Sequence, residues 1–186
     1  FARTTMKEFH TALDTLKKKG AEDLILDLRG NGGGYLQTAF LLADEFLSQG
    51  KMIVYTSGDK QSKEEYKATS RGSFETGKLA ILVDEGSASA SEIVSGAIQD
   101  WDRGLVIGRR TFGKGLVQKP FPLPDGSAIR LTTARYYTPT GRSIQRPYED
   151  GKEEYYKEIS RRYKSGELMA ADSIDFPDSL KFYTPN

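Results

Sequence analysis

Three serines alternate with alanine in Ser87-Ala88-Ser89-Ala90-Ser91-Glu92, and 25 residues after Ser89 a lysine stands between two glycines, Gly113-Lys114-Gly115. The chain has one histidine and no cysteine. A serine nucleophile here has few bases to draw on, and a lysine is the natural remaining one. A lysine works as a general base only where burial lets it lose its proton near neutral pH. The pair points to hydrolysis by a serine and a lysine.

The elements around the two motifs suit that chemistry. Leu79 to Val83 reads as a strand and Ser89 to Asp100 as a helix, so Ser89 falls where a strand turns into a helix. Such a turn lifts a side chain clear of the sheet, and the helix start offers free backbone N–H groups to a developing oxyanion. The bland alternative is that serine is simply a favoured N-cap. For Lys114 the bland alternative is a solvated lysine in a turn. The run Gly30-Asn31-Gly32-Gly33-Gly34 is a third feature, where glycine permits positive φ and close main-chain approach. It could give a second oxyanion donor, or be only a tight connection.

The other elements follow from periodicity and punctuation. Thr5-Met6-Lys7-Glu8 reads as a capping box with Thr5 as N-cap, and Met6, Phe9, Leu13 and Leu16 recur at helical spacing up to Gly20. Leu24 to Leu28 is an apolar run expected to be a buried strand, Tyr35 to Leu47 a helix, and Met52 to Tyr55 a strand. Ser57 to Gly77 is polar without periodicity and reads as a surface excursion. Leu105-Val106-Ile107 is a further strand. Leu116 to Gln118 and Ala128 to Tyr136 form a hairpin around Pro124-Asp125-Gly126. Alternating helices and strands place the chain in the α/β or mixed class. Glu153 to Lys164 is a charged, tyrosine-rich helix candidate, and Leu168 to Asn186 has no firm pattern.

Composition excludes several functions. The chain has 186 residues, enough for one well-packed core. Its 27 basic and 26 acidic residues leave a net charge of +1, so no single-sign field draws nucleic acid or an anionic membrane. No apolar run of about 18 residues offers a membrane span. Without cysteine there is no thiol nucleophile, disulfide or thiolate metal site. The chain opens at Phe1 with no signal peptide, almost directly into a helix pattern, so a longer precursor is the expectation.

Competing motifs are weak. Gly108-x4-Gly113-Lys114 resembles a P-loop, but Gly115 replaces the Ser/Thr that holds Mg²⁺. Ser48-x-x-Lys51 lies at a helix end without its supporting motifs. No G-x-S-x-G or H-E-x-x-H occurs. His10 sits in the first helix pattern beside Phe9, and Asp27 and Asp84 end strands with no second carboxylate to pair them.

Five pieces together resemble the C-terminal processing peptidases, or tail-specific proteases, of the S41 type. They stand in family order between Met6 and Gln145: Leu26 to Gly34, Asp84 to Ile93, Thr111 to Gln118, Asp125-Gly126-Ser127, and Tyr137 to Gly141. The resemblance implies a serine endopeptidase acting on unfolded or tail-exposed proteins. Ser89 would be the nucleophile, Lys114 the general base, and Gln118 the residue that orients the lysine. The N–H groups of Ala90 and of Gly32 or Gly33 would form the oxyanion hole. No metal or organic cofactor is required.

The implied fold is an α/β crotonase/ClpP-like ββα spiral with a mixed sheet. Residues 1–147 would be the protease core, without the PDZ-like domain that usually precedes it. Residues 148–186 would be a charged, helical extension that departs from the family core. Partners would be polypeptides held by their C-terminal tails, with homo-oligomer or adaptor contacts left open. The resemblance implies a periplasmic or otherwise extracytoplasmic place. Two rivals stand beside it: a non-catalytic peptide-binding or assembly module of the same fold, and a crotonase-like acyl-CoA enzyme.

Overall fold

The computed structural model describes residues 1–148, 151–169 and 184. Three short strands, β1 (Leu24–Asp27), β4 (Leu79–Val83) and β5 (Leu105–Gly108), make a parallel sheet in the order β1-β4-β5. Two further strands, β2 (Met52–Gly58) and β3 (Gln61–Lys67), join β6 (Leu116–Pro122) and β7 (Ala128–Tyr137) in an antiparallel sheet, in the order β3-β2-β7-β6. The expected single mixed sheet is therefore two sheets, one of each kind. Parallel strands need a long crossover, and helix α3 (Ala90–Asp100) supplies it between β4 and β5.

Alternation places the core. In β4, Leu79, Ile81 and Val83 point inward, at 4%, 0% and 4% exposure, toward the helices. Helix α2 (Leu36–Asp44) and α3 pack there with Phe46, Leu47, Val54, Val94 and Ile98. Each such side chain, fully buried, is worth about 1.5–3 kcal/mol. Helix α3 is buried along its length except at Gln99, which its small residues allow. At Gly96 a β-carbon would lie 2.8 Å from Thr138 Cγ2. Trp101, at the C-cap of α3, donates from Nε1 to the Met52 carbonyl at 2.7 Å, which ties this helix to β2.

Several expectations need correction. The first helix, α1 (Thr5–Lys18), has Thr4 as N-cap; Thr5 is already helical, and its Oγ1 accepts the Ala2 N–H. Strand β1 is not buried on both faces, because Ile25 is 69% exposed. The excursion from Ser57 contains β3, a seven-residue strand that hairpins with β2. Its sequence QSKEEYK carries no apolar alternation because it is an edge strand, and charged edge strands resist pairing with other chains. The charged helix beyond residue 148 is α4 (Gly151–Lys164). Most of Leu168 to Asn186 lies outside the described residues.

Candidate active site

The turn after β4 is stitched to the glycine loop that follows β1. Asp84 Oδ1 accepts the N–H groups of Gly30 and Gly86, at 2.8 and 2.9 Å. Ser87 Oγ donates to the Leu28 carbonyl at 2.7 Å. The Asn31 carbonyl accepts both the Ala88 N–H, at 3.0 Å, and Ser91 Oγ, at 2.8 Å. Ser87 and Ser91 are fully buried, so two of the three serines serve as cross-links between loops.

Ser89 differs from both. Its backbone sits at φ +56°, ψ −110°, immediately before the first residue of α3. Only Asp102 shares a positive φ among the described non-glycine residues. Holding a side-chain-bearing residue there costs about 1–3 kcal/mol. Ser89 is half-buried, and no described carbonyl takes its Oγ, unlike those of its neighbours. Its position leaves the Ala90 N–H, at the first turn of α3, as one of the orphan donors of a helix start.

Gly33 closes against this turn. It has φ +94°, and a β-carbon there would lie 2.6 Å from the Ala88 carbonyl, 2.8 Å from Ser89 Cβ and 2.9 Å from the Ala90 nitrogen. Only glycine admits this approach. The Gly33 N–H donates to Asn31 Oδ1 at 3.0 Å. Gly32 is exposed, with open space where its β-carbon would be. The structure thus brings Gly33, not Gly32, onto Ser89.

The lysine segment meets the serine turn through one carboxylate. Glu92, 5% exposed, accepts four hydrogen bonds. Oε2 takes the backbone N–H groups of Ser89, at 2.7 Å, and Lys114, at 2.8 Å. Oε1 takes Thr111 Oγ1, at 2.8 Å, and the Gly113 N–H, at 2.6 Å. The main chains of Ser89 and Lys114 therefore lie side by side on a shared oxygen. Four donors satisfy both oxygens of this buried carboxylate. The opposite side of the lysine segment rests on residues 144–146: Gly115 donates to Gln145 Oε1 at 3.0 Å, and Arg146 donates from its backbone to the Gly113 carbonyl at 3.1 Å.

The side chains of Lys114 and Gln118 are exposed, and neither makes a hydrogen bond among the described residues. Gln118 lies on β6 opposite Thr132, where the register slips beside the Val117–Ala134 pair. Thr133 is the extra residue, and such a bulge re-aims the side chains near it. The remaining candidates are structural. His10 Nε2 bonds Glu45 Oε1 at 2.6 Å, tying α1 to the end of α2. Asp27 takes the Arg29 guanidinium, and that hydrogen bond, with one from the Arg29 backbone, lowers its pKa to about 2.

The sequence model of peptidase family S41 matches residues 1–151. The chain belongs to peptidase family S41. A carboxyl-terminal-processing protease of Synechocystis is 42% identical over 146 residues, 78% of this chain and 34% of that protein. The carboxy-terminal processing protease CtpA of Bacillus subtilis is 37% identical over 176 residues, 90% of this chain and 38% of that protein. Among solved structures, a photosystem II D1 C-terminal processing protease superposes with a TM-score of 0.74 at 38% identity, covering 78% of this chain and 37% of that one. Mature CPAF shares the fold, with a TM-score of 0.61 at 13% identity. The chain spans about a third of the length of the curated relatives it matches. No helix among the described residues is long and apolar enough to cross a membrane.

Within this S41 chain, sequence reasoning assigned no task to Glu92 or Asn31. Glu92 had a visible signal: it stands three residues after Ser89, the N3 place of a capping box. Its reach to Thr111, Gly113 and Lys114 had none.

Proposed function

We propose that this chain is the catalytic core of a serine endopeptidase that cuts unfolded or tail-exposed polypeptides with Ser89 and Lys114. The observation that carries the reading is the shared Glu92 oxygen, which sets the main chain of the strained Ser89 beside that of Lys114. The neutral Lys114 amine takes the Ser89 proton as Oγ attacks the peptide carbonyl carbon. The oxyanion rests on the Ala90 N–H and on a glycine N–H of the 32–33 pair. Gly33 is the better placed, and its N–H must turn from Asn31 to serve. The Lys114 ammonium then protonates the leaving amine. Water attacks the acyl-enzyme, gives its proton to Lys114, and Ser89 is restored. Gln118 would orient the Lys114 amine once both side chains are covered by substrate.

Residues 1–147 form the protease core in this reading and 148–186 an extension, with the two sheets wound as a crotonase/ClpP-like ββα spiral. Substrates enter by their C-terminal tails, and the protein works outside the cytoplasm. One observation favours the rival binding module: Lys114 and Gln118 have exposed, unengaged side chains among the described residues.

The test compares cleavage of an unstructured protein by the parent, Ser89→Ala and Lys114→Ala. Turnover in the parent alone supports the peptidase. Substantial turnover in either variant refutes the assigned pair. Peptide binding without turnover in all three supports the module.

A further inference from the structure

Helix α4 begins where the family match ends, at residue 151. Most of its surface is charged and exposed, yet Arg162 is only 3% exposed. A guanidinium is costly to bury unless its N–H groups find acceptors. Arg162 finds them at the segment that leads into Lys114. Nη2 donates to the Arg110 carbonyl at 2.6 Å, Nη1 reaches the Thr111 carbonyl at 3.5 Å, and Nε donates to Glu167 Oε1 at 2.8 Å.

The contact is braced twice. Glu167 also receives the Arg110 guanidinium as a fork, Nε and Nη2 at 2.9 and 3.0 Å. That hydrogen bond holds Glu167 below the usual glutamate range. Arg110 reaches Glu158 of α4 at 3.1 Å. Glu158 also pairs with Arg146, whose guanidinium lies 4.4 Å from the Phe112 ring centre and 3.8 Å from that of Tyr155. Residues 110–113 are thus gripped from the core side by Glu92 and by the Ser87 carbonyl, which takes the Phe112 N–H at 2.9 Å. From the outer side they are gripped by α4.

We propose that α4 and Glu167 form a clamp on the Lys114-bearing loop, with Arg162 as a positioning residue that sets the main chain from Arg110 to Gly113 and hence where the Lys114 amine can reach. The catalytic consequence rests on the Ser89/Lys114 reading; the clamp itself does not. Arg162 touches no reacting atom and acts through the carbonyls of Arg110 and Thr111. A lysine in its place keeps the charge but loses the planar fork that serves two directions at once.

The experiment uses the full chain as parent, Arg162→Met, Arg162→Lys and Glu167→Gln, with Lys114→Ala beside them. Two quantities are read: amide hydrogen exchange, and kcat and KM on an unstructured protein. In Arg162→Met, exchange at residues 112–115 should speed up about tenfold or more while α3 and β4 keep their protection. Its kcat should fall about 10- to 100-fold at nearly constant KM. Arg162→Lys and Glu167→Gln, which keep more of the packing, should move both readouts in the same direction by less.

Unchanged exchange at 112–115 in a folded Arg162→Met overturns the clamp, whatever the activity. Local loosening without loss of kcat, where Lys114→Ala is dead, overturns the positioning role. If Arg162→Met fails to fold, Arg162→Lys and Glu167→Gln decide by the same criteria. Should Lys114→Ala cleave like the parent, the dyad reading fails, while the exchange data still decide the clamp on their own.

Discussion

The two loops that meet at Glu92 are built in opposite ways. The Ser89 turn lies between β4 and α3 and is packed from both sides by the core. Small residues, a glycine loop and paired main-chain groups define it, and buried serines cross-link it to the loop that follows β1. The Lys114 segment joins β5 to β6 and has no core of its own. It is held by side chains from afar: Glu92 about 20 residues before it, Gln145 30 residues after Gly115, and Arg162 about 50 residues after Arg110 and Thr111. A turn made from main chain and small residues is rigid by construction. A loop gripped by long charged side chains can be tuned, and it is the one that carries Lys114, the proposed base.

Glu92→Gln attacks the place where the two loops join. A glutamine has one acceptor oxygen, and in either orientation its NH2 would face at least one backbone N–H donor. The loss should be about 3–5 kcal/mol of stability, the scale of breaking a buried charged network. Thermal unfolding should register it, with activity nearly abolished even below the new Tm. Gly33→Ala breaks the serine side alone. The residue would be forced to φ +94° for about 1–3 kcal/mol, and its β-carbon would press on the Ala88 carbonyl and the Ala90 nitrogen. A marked fall in kcat is expected, with exchange at 112–115 unaltered. Loosening of both loops by this change would mean they are not independent.

Acid should loosen the lysine side. Arg110 keeps the Glu167 pKa lower in the folded chain than in the unfolded one. Glu167 then contributes stability above the ordinary glutamate range and loses it as pH falls through its lowered value. Protection of residues 112–115 should therefore drop in that acid window, and Glu167→Gln should remove the step. The smallest effect is expected at His10→Ala, which breaks a partly exposed bond to Glu45 worth about 0–1 kcal/mol. Activity and its pH profile should stay put; a large loss would place the base somewhere other than Lys114.

Most of this architecture was legible beforehand where periodicity marked it. The runs Leu79 to Val83 and Leu105 to Ile107, the 116–137 hairpin and the helix after Ser89 all appear where apolar spacing placed them. The strand β3 did not, because an edge strand faces water and needs no apolar alternation. Nothing local in the sequence marks the contacts that Glu92, Arg110, Glu158 and Arg162 make across the fold.

By itself, then, the sequence determined most of the elements, the S41 motif order, and the strand-to-helix turn with Ser89 at its tip. Those properties are encoded over a few residues, by spacing, small size and glycine. Only the tertiary structure decided which serine stands free of carbonyl partners, which glycine touches it, and what carries the Lys114 loop to its side. Those depend on single hydrogen bonds between residues tens of positions apart. Such contacts leave no period in the chain, and they exist only once the core has brought their partners within 3 Å of one another.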